Sequence, residues 1–369
     1  MGPISYPVGM ILTGLLLGAA LGYVLQRSRF CVTGAFRDLY LTRSTRYFIP
    51  FLLAIAIQAV GVAALTGMGV LAPEPAAFAP LAVVGGGLIF GIGIIMAGGC
   101  ATGTYYRAGE GLIGSWVALI FYALFAAVMK YGPLSVLTEA ARSRTVADAT
   151  LQETLGVNVW VPTLVFSAIV AVLVVRSRRA AKQRAASTRS SVTLPARRTG
   201  LGHYLADIPW SPWVGGVLLG LIAIAAWVLS TAAGRNGGLG ITTPSAKIAT
   251  FLTTGDVTLV DWSVMLVLGI LLGSFLAAKL SGEFRWRVPD VQTMLRSAIG
   301  GVAMGIGAAL AGGCTIGNSL VETSLFSYQG WVSLIAIIVG TWGAAWFFLQ
   351  RPQRAAANSR PAPVLTPAP

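Results

Sequence analysis

Apolar residues gather in runs at 8–26, 47–70, 81–99, 111–130, 159–175, 213–233, 262–280, 298–314 and 329–349, with polar stretches between them. Each run has close to the roughly 20 residues that a helix needs to cross a hydrocarbon layer about 30 Å thick. The pattern predicts an all-α polytopic membrane protein with nine transmembrane helices. The first run lacks a basic leader and a small-residue cleavage site, so it is expected to stay as a span and not to be removed as a signal peptide. Between Lys130 and Asn158 charges of both signs replace the apolar pattern, which predicts an external loop with a short amphipathic helix over 135–144.

Composition agrees with the pattern. Of 369 residues, 56% are hydrophobic and only 10% are charged, against about 25% charged in a soluble domain. The net charge of +14 does not point to nucleic acid, because the basic residues lie in loops and in the C-terminal tail. The stretch 176–198 holds eight Lys or Arg and no acid, which places it in the cytoplasm by the positive-inside rule. Alternation then puts the N-terminus outside and the C-terminus in the cytoplasm. Arg27, Arg29, Arg37, Arg43 and Arg46 fall inside on this scheme, and Pro73, Glu74 and Pro75 fall outside.

An internal repeat sets the architecture. Aligning 86–103 (GGLIFGIGIIMAGGCATG) with 300–317 (GGVAMGIGAALAGGCTIG) gives ten identities in eighteen positions. The GLLLG at 14–18 likewise echoes the GVLLG at 216–220. One extra span lies between the halves, so they enter the membrane from opposite sides, as in the inverted repeats of many transporters. The expected divisions are a first membrane repeat over 8–130, an external loop over 131–158, a linking span at 159–175, a basic cytoplasmic loop over 176–212, a second, inverted repeat over 213–349, and a disordered cytoplasmic tail over 350–369.

Each copy of the repeat carries Ala-Gly-Gly-Cys after a glycine-rich helix, with Gly98, Gly99, Cys100, Thr102 and Gly103 in the first and Gly312, Gly313, Cys314, Gly317 and Asn318 in the second. Paired glycines end helices and let backbones approach closely. In lipid, the backbone groups freed by a break must be buried in protein or line a watery cavity. The breaks are therefore expected in the interior, with backbone N–H groups at 100–104 and 314–318 and a partial positive charge of about half a unit at each following helix start. Read structurally, the glycines at 87, 91 and 93 are packing positions and the cysteines small buried hydrophobes. Packing alone does not explain why both copies place cysteine after the same glycine pair.

Cys31 is the third cysteine, just after the first span, and its counterpart region at 238–242 has none. No Cys-x-x-Cys or Cys/His cluster occurs and His203 stands alone, so neither a disulfide framework nor a metal site is expected. Ordinary thiols are mostly protonated at neutral pH and would not repel an anion. The expected spans contain no Asp or Glu for a cation route. Three neutral S–H donors suit a soft anion with terminal sulfur or selenium. The glycine-rich turns lack the Gly-Lys-Ser/Thr of a phosphate loop, and no cofactor is expected.

At the Arg-Phe-Cys segment ending at Cys31 and at both Ala-Gly-Gly-Cys turns the sequence resembles the YeeE/YedE family of sulfur-compound transporters, over roughly residues 8–349. The resemblance implies an hourglass-shaped inverted-repeat protein of the bacterial inner membrane. It implies uptake of the thiosulfate ion through a constriction lined by Cys31, Cys100 and Cys314, and a small cytoplasmic sulfur-carrier protein as partner. Some members handle selenium compounds. The expected mechanism is a hand-over from an outer vestibule past Cys100 and Cys314 to Cys31 through S–H to sulfur hydrogen bonds, with no covalent step. Two rivals remain at this point: a membrane sulfurtransferase holding a cysteine persulfide, and a soft-metal transporter using three thiolates.

Overall fold

The computed structural model describes residues 8–146, 149–187 and 202–351. Residues 188–201 of the expected basic loop and 352–369 of the expected tail fall outside these residues. Fourteen α-helices order the described chain: α1 (Val8–Ser28), α2 (Val32–Leu41), α3 (Phe48–Gly67), α4 (Pro80–Met96), α5 (Ala101–Gly109), α6 (Ile113–Lys130), α7 (Ser135–Arg142), α8 (Leu151–Leu155), α9 (Trp160–Ser187), α10 (Pro212–Ala232), α11 (Thr242–Thr254), α12 (Trp262–Leu280), α13 (Val291–Ala311) and α14 (Tyr328–Ala345). No strand occurs among the described residues, and nine helical segments are long and apolar enough to cross a membrane. Large apolar side chains such as Leu16, Leu81, Ile120, Leu164 and Ile335 stay more than half exposed, as they would against lipid.

The spans match the hydrophobic runs, and the differences have local causes. α13 starts at Val291, ahead of the run at 298, because Asp290 caps it by accepting from the Thr293 N–H at 3.1 Å. α9 runs past 175 through basic residues to Ser187, since Arg, Lys and Ala are good helix formers and no Gly or Pro stops it. The segment at 135–144 is helical over Ser135–Arg142. The short helices α2, α5 and α11 have no apolar run of their own, and each follows a break between helices.

Glycines let the spans touch backbone to backbone. On α1, a Cβ at Gly14 would meet the Trp262 carbonyl, and at Gly18 and Gly22 the backbone of Leu266 and Ile270; Gly269 and Gly273 on α12 return the contact to Leu15 and Ala19. α10 lies on α3 in the same way, with Gly216 on Pro50 and Gly220 on Ala54. Such contacts supply dispersion where lipid leaves little hydrophobic drive for association.

The centre of the molecule is the α4/α13 pair. A Cβ on Gly86 would strike the Ala311 nitrogen and Gly307 oxygen, and one on Gly300 the Ala97 nitrogen and Gly93 oxygen. Similarly Gly93 faces Met304 and Gly300, and Gly307 faces Phe90 and Gly86. Replacing each residue by its counterpart in the repeat turns one contact of each couple into the other. Two helices display this exchange when they cross about a local two-fold axis. The outer layers pair in the same manner: α1 with α12 and α3 with α10, α6 with α13 and α4 with α14.

Leucine at Gly18 overpacks the α1/α12 seam and is expected to cost on the order of 1–3 kcal/mol, read as a lowered thermal midpoint in detergent. At Gly85, where a Cβ meets nothing within 4 Å, alanine is expected to hold or raise the midpoint, since it removes a helix penalty of about 1 kcal/mol.

Candidate functional site

Cys31 and Cys100 are placed by the same device. α1 ends in a left-handed turn at Arg29 (φ 51°), the Phe30 N–H reaches back to the Leu25 carbonyl at 3.1 Å, and Cys31 follows as the extended residue that starts α2. α4 ends at Met96, Gly98 takes the left-handed conformation (φ 73°), and Cys100 follows as the extended residue that starts α5. In neither case does the thiol cap its helix, so both sulfurs turn to partners outside it. Between them lies Gly103: a Cβ there would sit 3.5 Å from Cys100 Sγ and 3.9 Å from Cys31 Sγ. Its N–H is directed at Cys100.

Cys314 occupies the mirror turn. Gly312 is left-handed (φ 80°) at the end of α13. Here the sequence expectation needs correction. Cys314 does not open an α-helix: two turn residues follow and then a six-residue π-helix, Gly317–Glu322. The Asn318 N–H is not free for an anion either, since it donates to the Cys314 carbonyl at 2.8 Å, as the Thr104 N–H does to Cys100. The cause is the Asn318 side chain, whose Nδ2 donates to the Ala311 carbonyl (2.9 Å), the Gly313 carbonyl (3.2 Å) and Ser333 Oγ (3.0 Å). It holds the turn closed and winds the following residues wider. All three thiols are buried and in no disulfide, and each has a buried threonine close in sequence: the hydroxyls of Thr33 and Thr102 lack a hydrogen-bond partner, and that of Thr315 lies against Cys100.

The two turns open on different cavities. Gly312, Gly313, Cys314 and Gly317 line one of about 210 Å³ together with Glu74, Trp227, Arg235, Thr242 and Glu322. Ala97 and Gly98 line another of about 270 Å³ with Arg107, Ser115 and Arg287. Glu74 belongs to the loop expected outside, and Arg287 to a loop expected inside. In the first cavity, burial pushes the Glu322 carboxyl above its usual range, which weakens its repulsion of an anion. The buried Trp227 indole N–H has no partner there.

The hydrophobic pattern did not single out the arginines of the site. Arg107 donates from Nη1 to the Gly98 carbonyl and lies with Nη2 3.7 Å from Cys31 Sγ. Arg142 donates to the Leu310 carbonyl at 3.1 Å, over the Gly312 turn. Each satisfies a carbonyl that a broken helix leaves open. Arg107 stands two helical turns beyond Cys100, which would have exposed it had α5 been recognised as a helix. Arg142 sits on the surface helix α7, and no local pattern ties it to Gly312. His203 pairs with Asp207 at 3.2 Å and Lys247 with Asp261 at 2.5 Å; neither lines these cavities.

The family model for sulphur transport matches residues 27–343. The chain belongs to that family. The thiosulfate transporter TsuA of Escherichia coli (strain K12) is 50% identical over 347 residues, covering 94% of this chain and 97% of that protein. The thiosulfate transporter TsuA of Spirochaeta thermophila is 34% identical over 361 residues, covering 93% and 100%. The probable transporter YedE of Escherichia coli is 39% identical over 102 residues, 28% of this chain and 25% of that protein. As a sulphur transport family member with nine membrane-length helices among its described residues, the protein is a multi-pass membrane transporter.

Asn318→Ala leaves two buried carbonyls without their donor. At about 1–3 kcal/mol for each unsatisfied group, the variant is expected to melt clearly below wild type in detergent, whereas Asn318→Asp, unable to donate, should do no better. A melting curve that Asn318→Ala leaves unchanged would refute this role.

Proposed function

We propose that this protein takes up thiosulfate across the bacterial inner membrane, the anion passing Cys314, Cys100 and Cys31 in that order. The observation that carries the reading is the convergence of three buried thiols between two cavities. Cys314 lines the cavity beside Arg235, and Cys31 lies beside Arg107. The similarity to two thiosulfate transporters over nearly the whole chain supports the choice of substrate.

The chemistry fits an anion with two unlike ends. The terminal sulfur accepts weak, short-lived S–H hydrogen bonds, so it is held without being trapped. The sulfonate oxygens turn to the unpartnered hydroxyls of Thr33 and Thr102. A thiol that only donates a hydrogen bond needs no bond to sulfur to form or break. On this reading the pseudo-two-fold axis lies in the membrane plane, the N-terminus is outside, and the C-terminus is cytoplasmic. The cavity lined by Arg107 and Arg287 then opens inward, where a small sulfur-carrier protein would receive the ion, and lipid surrounds the exposed apolar belt.

In a strain without other thiosulfate uptake, Cys100→Ala and Cys314→Ala are each expected to abolish growth on thiosulfate as sole sulfur source while leaving growth on sulfate intact. Undiminished growth of both would sink the thiol route. Gly103→Leu places a side chain between Cys100 and Cys31 and is expected to cut uptake at least tenfold, with normal amounts of protein in the membrane on immunoblots.

A further inference from the structure

We propose that the groove enclosed by α4, α13 and α7 is a phospholipid site, with an acyl chain lying along α4 and the headgroup phosphate on Arg144. This site lies outside the thiol route and does not depend on the import reading.

The groove holds about 650 Å³, within the range of about 300–1,000 Å³ usual for small-molecule pockets. Its floor is one face of α4, on which Ala82, Gly85, Gly86 and Ile89 recur at helical spacing. From Pro80 to Ile89 this floor runs about 14 Å at about 1.5 Å per residue. That is close to half of a hydrocarbon core about 30 Å thick, the depth of one leaflet. A Cβ on Gly85 meets nothing within 4 Å, so the floor is open at its middle. Leu310 of α13 forms a wall.

The roof is tied down, and its charge stands at the end where a headgroup would be. α7 covers the groove with Ala140 and Ala141, and the chain after α7 covers it with Arg144, Thr145 and Val146. The Val146 N–H donates to the Phe78 carbonyl at 2.9 Å, just ahead of α4. Arg142 donates to the Ala77 carbonyl at 3.3 Å and to the Leu310 carbonyl at 3.1 Å. Beside these two arginines Leu134, Val136 and Leu137 stay exposed, the mixture expected of a helix lying in the headgroup layer. Arg144 and Thr145 are the only polar side chains among the described residues that line the groove. No acid among the described residues pairs with Arg144.

A guanidinium at headgroup level above an apolar trough one leaflet deep matches a phosphate joined to an acyl chain. A free phosphate would use the arginine and leave the apolar floor in water. Leu310 connects the site to the cysteine turn, because its carbonyl takes Arg142 beside Gly312. A lipid chain seated against Leu310 braces α7 over the turn that carries Cys314.

The test uses the full chain, purified in detergent and stripped of lipid, with melting followed as palmitoyl-oleoyl phosphatidylglycerol is added. Wild type is expected to melt several degrees higher with this lipid, whereas the diacylglycerol with the same chains gives less than half of the rise and inorganic phosphate gives none. In Arg144→Ala the lipid concentration at half of the rise is expected to increase about tenfold, the effect of losing one charge-assisted hydrogen bond. Gly85→Trp, which fills the trough, should lose the rise. Ile335→Trp, at an exposed position on α14 that does not line the groove, should keep it. No rise in wild type, an equal response in Arg144→Ala or Gly85→Trp, or a full rise with inorganic phosphate would overturn the proposal. If Gly85→Trp does not fold, Arg144→Ala decides, since it changes an exposed side chain.

Discussion

Every part of the site depends on how the chain satisfies its backbone where helices stop inside the membrane. A helix that ends in hydrocarbon leaves open carbonyls, each costing several kcal/mol if nothing bonds to it. Here Arg107 takes the Gly98 carbonyl, Arg142 the Leu310 carbonyl, and Asn318 those of Ala311 and Gly313. The glycines permit the reversal and these side chains stabilise it. A cysteine placed next in the chain is then delivered to the interior with its sulfur free. The polar groups that make the breaks tolerable are thus also those that give the cavities their charge.

That dual use explains what could be read from the sequence. The spans were plain because hydrophobic length responds to bilayer thickness and to little else. The cysteine turns were plain because they occur twice in one setting. Arg107 and Arg142 were hidden for different reasons: the first belongs to a short helix with no apolar run, and the second reaches its carbonyl from a surface helix 168 residues away in the chain. The π-helix after Cys314 was also beyond local reading. It exists because the Asn318 side chain takes bonds across the turn, an effect of position in the fold and not of propensity.

The asymmetry seen in the sequence acquires a physical form in the packing. Cys31 precedes α2, which lies on α14, while Ile241 precedes α11, which lies on α6. The place taken by a thiol on one side is taken by a buried apolar side chain on the other. The arginines differ too. Arg107 touches a thiol, whereas Arg235 is spent on its own loop, donating to the Gly238 carbonyl at 2.9 Å and to Ser230 Oγ at 3.2 Å. The two halves therefore differ in the groups set beside their turns, although the scaffold that carries them is duplicated.

A pathway for an anion must bind well enough to admit it and weakly enough to release it. Cations placed at the constriction itself would fail the second condition, because an ion pair in a low-dielectric interior is hard to break. On the proposed route thiols and hydroxyls line the centre, and Arg107, which reaches Cys31, has its Nη1 committed to the Gly98 carbonyl. Sharing its fork with a backbone carbonyl leaves Arg107 fewer N–H donors for an anion, so the contact at the inner end is weaker than a full bidentate pair.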